Sequence, residues 1–258
     1  MLVTFKPENY DYQPSRAQPL DPSCRCTHII YGRNKQYFAN WAGNLSLKTF
    51  YGGKAFYDTG LGRYEVGEDN FLILNEKQPY SITIDTSEKI QSFCIFFEKG
   101  FAEEVLQGLT KEEEFLLDNP NNQSNVPIDF VQRLYPKDAL IGPDLANLLT
   151  SINQGNLEEF AVREQLHQIM QKMLRVRSRV FTEIDKLAAK RSATREELYK
   201  RLYRARDFLE SSFTQKITLS QTAGIACLSQ NHFLRTFNQL FGQTPNQYLT
   251  RLRLKKAR

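Results

Sequence analysis

Between residue 44 and residue 97 the apolar positions recur every second residue or gather in runs of four to six. The segments "NLSLKTFY", "KAFYD", "GRYEV", "NFLILN", "PYSITI" and "IQSFCIFF" are rich in β-branched and aromatic residues, and Gly52-Gly53, Gly60-Leu61-Gly62 and Glu68-Asp69-Asn70 separate several of them. This pattern predicts short strands joined by tight turns, closely spaced enough for a sandwich or a barrel. Leu45, Leu47, Thr49 and Tyr51 alternate with Ser46, Lys48 and Phe50, the period of a strand with one buried face. The first 20 residues, with Pro7, Pro14 and Pro19, read as an extended arm.

The period then changes to threes and fours. "FAEEVLQGL" opens a helical stretch, "DNPNNQSNVP" is a loop, and "KDALIGPDLANLLTSINQG" reads as a helix with Pro143 in an early turn and Gly155 closing it. The longest periodic segment runs from Asn156 to Lys190. Its Leu157, Phe160, Ala161, Leu166, Ile169, Met170, Met173, Leu174, Val180, Phe181, Ile184 and Leu187 form a stripe that must be buried on the sheet, on another helix or on a second subunit. A further helix is expected from Thr194 as N-cap, with Glu197 three residues on as a capping box.

Three short capped helices follow. Thr218 with Gln221 is a capping signature, Ser229 caps the next helix and Gly242 ends it, and Thr244-Pro245 starts the last. Two short helices joined at Cys227-Leu228 have the layout of a helix-turn-helix, whose second helix enters the DNA major groove. At 100° per residue Phe233, Phe237, Leu240 and Phe241 share one side of that helix, and Asn231, Arg235, Asn238 and Gln239 the other. The first set is core. The second can read base edges, arginine on guanine and Asn or Gln on adenine, at about 1 to 3 kcal/mol of discrimination per bidentate contact. Base readout is therefore expected from Gln230, Asn231, Arg235 and Asn238, with Leu234 against a thymine methyl. Thr218, Gln243, Thr244 and Arg251 are expected at phosphates. The competing reading of the same side chains is an ordinary solvated helix face.

Composition narrows the class. Hydrophobic residues make up 41% and charged ones 24% of 258 residues, values of a globular chain. No stretch approaches the roughly 18 uninterrupted apolar residues of a membrane span, and the N-terminus lacks a signal pattern, so a cytoplasmic protein is expected. The four cysteines are too few for a disulfide framework, and Cys24-x-Cys26 alone makes no metal site. The net charge of +5 hides an asymmetry: residues 1–130 carry −6, residues 131–258 carry +11, and Ser211 to Arg258 contain seven basic residues and no acid. Such a segment attracts polyanions.

Leu228-Ser229, His232-Phe233, Arg235, Phe237, Gly242, Pro245, Tyr248-Leu249, Arg253 and Ala257 stand in an order and spacing that resembles the first helix-turn-helix and connecting helix of AraC-type transcriptional regulators. The resemblance covers about Ile217 to Arg258 and implies an α+β chain: an N-terminal cupin-like antiparallel β-barrel, then an all-α C-terminal half with a helix-turn-helix. It implies an effector-binding barrel with an N-terminal arm at 1–100, a helical dimerisation segment at 101–192 and a partial DNA-binding domain at 193–258. The partners it implies are double-stranded DNA through its major groove, an unidentified small-molecule effector, and a second copy of the chain. Three departures stand out. Cys227 occupies the turn position where the family has glycine, Gly224 and Ile225 stand where good helix formers are usual, and the family's second helix-turn-helix is absent, so a truncated form is expected.

Cupins with metal chemistry use two or three His and a Glu, whereas His28 is the only histidine in the strand region. No cofactor, metal or catalytic activity is expected. A pocket in the barrel would be lined by aromatic side chains, among them Trp41, Tyr57 and Tyr64, with Arg63 or His28 as polar anchors. The alternatives are a cupin-type small-molecule enzyme and a dimerising antagonist of a full-length regulator that does not itself bind DNA.

Overall fold

The computed structural model describes residues 2–6, 26–32, 37–60, 62–84, 90–110, 127–138, 140–155, 158–189 and 191–256; of residues 2–6, 26, 31–32, 37–41 and 256 it describes the backbone alone. The arm beyond Lys6, the Asn-rich loop at 118–126 and the Trp41 side chain lie outside the described residues. The chain forms two compact units, Met1–Val176 and Arg177–Arg258.

Among the described residues the first unit holds ten strands in two sheets. One has the order β1 (Leu2–Lys6), β2 (Cys26–Gly32), β9 (Gln91–Phe96), β4 (Ser46–Tyr51), β7 (Asn70–Leu74), β10 (Leu134–Pro136); the other runs β3 (Tyr37–Trp41), β8 (Tyr80–Ile84), β5 (Ala55–Asp58), β6 (Arg63–Val66). All pairings are antiparallel except β1 with β2, so the first residues of the expected arm are a strand, with Leu2 beside Cys26. The six segments read as strands are β4 to β9. The mixed α+β architecture is as expected, but the barrel is not closed. Among the described residues no strand pairing joins the two sheets. They meet instead through side chains: Phe50, Leu72, Leu74 and Leu134 from the first sheet and Tyr57, Tyr64, Val66, Tyr80, Ile82 and Ile84 from the second share one core. This is the packing of a sandwich.

The expectation that β4 buries only one face also fails: Ser46 through Phe50 are all buried. Leu47 pairs with Ile73 and Ile95, and Ile95 with Ile29, a row that is 0–1% exposed. That second face is covered too. Helices α1 (Phe101–Thr110), α2 (Gly142–Asn153) and the first part of α3 (Glu159–Asp185) bury apolar stripes in the same unit, among them Val105, Leu148, Leu166 and Met170. Phe97 stacks on Phe101 at 5.7 Å, and Phe101 meets the His167 ring at 4.8 Å, linking β9, α1 and α3. Lys172 and Asp144 join α3 to α2 at 2.5 Å. Of the predicted stripe, Phe160 is 78% exposed, and Val162 is buried in its stead.

The second unit contains the end of α3 and four helices, α4 (Ser192–Ser211), α5 (Leu219–Ile225), α6 (Gln230–Phe241) and α7 (Pro245–Lys256). Helix α4 starts two residues before the predicted cap. Arg191 is its N-cap, without a side-chain bond, and Thr194 lies inside the first turn. Aromatic rings hold the unit together: Tyr203 against Phe241, Phe237 against Phe233 and Phe241, and Tyr248 against Phe237 lie 4.4–5.9 Å apart. Each of these aromatics buries a large apolar area.

Candidate nucleic-acid interface

Local chemistry sets the geometry of α5, α6 and α7. Thr218 and Gln221 form the predicted capping box, Ser229 Oγ accepts from His232 N–H at 3.4 Å, and Thr244 and Gln247 cap α7. Gly242 ends α6 at φ 67°, a left-handed conformation that favours glycine. Between α5 and α6 the chain turns through Cys227 at φ 51°, and Leu228 N–H donates to Ala223 O at 3.0 Å. That bond is the six-to-one closure of a Schellman turn, made here with a side-chain-bearing residue where glycine is the unstrained choice.

The turn sets α6 with Phe233 and Phe237 fully buried, and Gln230, Asn231, Arg235 and Asn238 exposed. Leu234 is half-buried beside them. Gln239, placed on the polar side by the wheel, is committed elsewhere: its Nε2 donates to Lys186 O at 2.8 Å. Thr218 is exposed at the α5 N-terminus, Gln243 and Thr244 are half-buried at the α7 N-terminus, and Arg251 is exposed on α7. The structure thus leaves Gln230, Asn231, Arg235 and Asn238 free to face a groove along about two turns.

Other polar groups hold the interface in place. Arg253 donates to Phe213 O and Gln215 O at 2.7 Å each, tying α7 to the end of α4. Arg206 lies beside Asp207 at 2.7 Å and Glu210 at 3.5 Å. The Tyr248 hydroxyl donates to Glu210. Burial, with the Glu210 carboxylate, pushes the Tyr248 hydroxyl above its ordinary range, so it remains a donor.

The expected effector residues separate. Tyr57 and Tyr64 pair across β5 and β6 and lie in the sandwich core, and His28 is 9% exposed on β2. Arg63 is exposed and lies over the Phe56 ring at 4.8 Å, away from that core. Sequence reasoning missed Lys48. It is 1% exposed, pairs with Leu72 and Cys94, and therefore points between the sheets. Its Nζ lies 3.2 Å from the Phe96 ring centroid and 5.3 Å from that of Tyr80, and among the described residues it has no carboxylate partner. Burial lowers the Lys48 amine to about 7, against a smaller opposing effect of Cys94. The clue was in the alternation: the face that carries Phe50 inward must carry Lys48 with it.

An exposed polar row on the second helix of a capped pair, held by phenylalanines, defines a helix-turn-helix DNA-binding unit. Residues 209–250 match the family model described as bacterial regulatory helix-turn-helix proteins, AraC family, so the chain carries an AraC-family helix-turn-helix. No curated protein matches the chain in sequence. Among solved structures, ToxT from Vibrio cholerae O395 bound to (E)-4-(8-methylnaphthalen-1-yl)but-3-enoic acid is 13% identical, with 88% of this chain and 98% of that chain covered and a TM-score of 0.40. ToxT from Vibrio cholerae strain SCE256 with bound unsaturated fatty acid is 10% identical, with coverage of 86% and 94% and a TM-score of 0.38. The AraC-like transcriptional activator CuxR is 16% identical, with coverage of 83% and 66% and a TM-score of 0.30. The family match at 209–250 carries the assignment. Among the described residues no helix is long and apolar enough to cross a membrane.

Proposed function

We propose that the chain is an effector-responsive regulator of transcription that reads DNA with α6. The observation that carries this reading is the exposed row Gln230, Asn231, Arg235 and Asn238 above buried Phe233 and Phe237. In the major groove Arg235 reads guanine and the amides read adenine, Leu234 meets a thymine methyl, and Thr218, Gln243, Thr244 and Arg251 hold phosphates. Residues 193–258 supply this module, residues 101–192 the helical segment through which two copies associate, and residues 1–100 the effector site. One such module buries only about 600–1,000 Å² of protein surface. Pairing two of them raises the effective concentration of the second to about mM where geometry allows. DNA as the partner puts the protein in the cytoplasm.

For the effector we propose an organic acid with an apolar body, seated between the sheets near Lys48, Tyr57, Tyr64 and His28. A buried amine that meets rings and the Cys94 thiol, with no carboxylate among the described residues, is electrostatically incomplete when charged, and a carboxylate completes it. Regulation requires that the acid bind two arrangements of the chain unequally. Gel-shift titration against a pool of genomic fragments, with and without a long-chain fatty acid, tests both parts. Selective binding that Arg235→Ala relaxes supports the readout, and an unchanged preference in that variant removes Arg235 from it. Acid binding lost in Lys48→Met supports the anchor; equal binding by both chains rejects it.

A further inference from the structure

The long helix α3 contains an acid-free run of its own. From Gln165 to Thr182 it has Lys172, Arg175, Arg177 and Arg179 and no Asp or Glu. Its last turns belong to the second unit. There Arg179 and Thr182, on one face of α3 at a spacing of three, and Lys186, the residue that follows its last turn, are all exposed. Neither Arg179 nor Lys186 is in an ion pair among the described residues. The acids of this turn are engaged elsewhere. Glu183 accepts from the Tyr199 and Tyr203 hydroxyls at 2.6 and 3.3 Å, and Asp185 pairs with Arg195 at 2.9 Å, so both face α4. Arg179 and Lys186 are left exposed with no acidic partner among the described residues, roughly two helical turns apart along the chain.

The position of this pair is fixed by a contact with the reading helix. Lys186 O, a carbonyl past the end of α3, accepts from Gln239 Nε2 at 2.8 Å. Such carbonyls at a helix end have no partner within the helix. Gln239 follows Arg235 by four residues, one turn further along α6 and about 40° around it. The α3 terminus therefore borders one flank of the readout row. A helix seated in a major groove about 12 Å wide has a phosphate strand along each flank.

Resting on the α6 reading above, we infer that the DNA-contacting surface continues beyond the helix-turn-helix onto the end of α3, where Arg179 and Lys186 contact the phosphate strand flanking α6. The partner is the same duplex, and the contact is blind to sequence. Each phosphate neutralised releases counter-ions and adds about 0.9 to the slope of log K against log salt. Two such contacts make affinity about tenfold more sensitive between 50 and 200 mM salt.

The test is a salt titration of DNA binding by the full chain, its Arg179→Gln/Lys186→Gln variant, and a Lys99→Gln control that removes one charge elsewhere. Glutamine keeps the helix propensity, so circular dichroism should be unchanged. The inference expects the double variant to lose about 1.8 from the slope, with weaker binding to every fragment and the same base preference, while the control loses little. An unchanged slope in a double variant whose base preference still depends on Arg235 overturns the inference and leaves the α6 reading intact. A parent chain without any base preference overturns both.

Discussion

Replacing Lys48 by methionine offers a stringent check on the sandwich interior. The side chain is 1% exposed, and its amine is lowered by burial from 10.5 to about 7. A base whose folded pKa lies below its unfolded one binds more protons when unfolded, so the fold gains stability as pH rises between those two values. A gap of 3.5 units corresponds to about 5 kcal/mol once the amine is fully charged, and about 4 kcal/mol at pH 7. Raising the pH from 7 to 9 returns about 2 kcal/mol of this. Methionine fills a similar volume with no charge, so Lys48→Met should stabilise the first unit at pH 7 by about 2 to 4 kcal/mol, with the difference shrinking toward half at pH 9. The chain's single tryptophan, Trp41, lies on β3 of this unit, so urea unfolding followed by its fluorescence reports on the sandwich itself. A variant less stable than its parent at pH 7, or a difference that does not change with pH, would refute the reasoning.

Other outcomes follow from contacts in the second unit. Cys227→Gly relieves a left-handed residue at φ 51° and should raise the thermal midpoint, by about 1 kcal/mol of stability; a lower midpoint would mean the turn gains something from the cysteine. Thr218→Ala removes the side-chain half of a capping box, the hydroxyl that accepts from Gln221 N–H, while the backbone N–H of residue 218 can still donate to Gln221; it should cost about 1 kcal/mol in chemical denaturation. Arg253→Ala frees the carbonyls of Phe213 and Gln215; it should destabilise the unit by about 1 to 3 kcal/mol while leaving base preference in a gel shift unchanged. Arg251→Ala should weaken binding to all sequences alike and flatten the salt slope by about 0.9, and a loss confined to some sequences would contradict its phosphate role.

The elements whose signals are local were legible in the sequence. The caps at Thr218, Ser229 and Thr244, the closing Gly242, and the division of α6 into a phenylalanine side and a polar side follow from neighbours within four residues, and the structure has them all. The left-handed turn at Cys227 was legible through the resemblance, which puts glycine at that position. What the sequence concealed depends on distant partners. Thr194 reads as a cap, but the chain continues the helix back to Ser192. Strand β1 is visible only through its pairing with β2, some 24 residues away. Lys48 read as the solvent side of an alternating strand because nothing local says that both sheet faces are covered. Gln239 read as a free groove residue because its acceptor, Lys186 O, lies 53 residues earlier.

The double covering of the six-stranded sheet also bears on how β4 finds its alignment. In a strand with one wet face, sliding by a single residue exposes every apolar side chain and is penalised at once. Between Leu45 and Phe50 both rows are buried, so such a slide would exchange Leu45, Leu47 and Thr49 for Ser46, Lys48 and Phe50 without exposing either to water. Alignment here therefore leans on the strands either side, β7 and β9, and on bonds at its entry such as Phe97 N–H to Leu45 O at 2.9 Å. A lysine that weakens the folded sandwich thereby also sets one row of β4 apart from the other, and so helps fix the pairing the strand adopts.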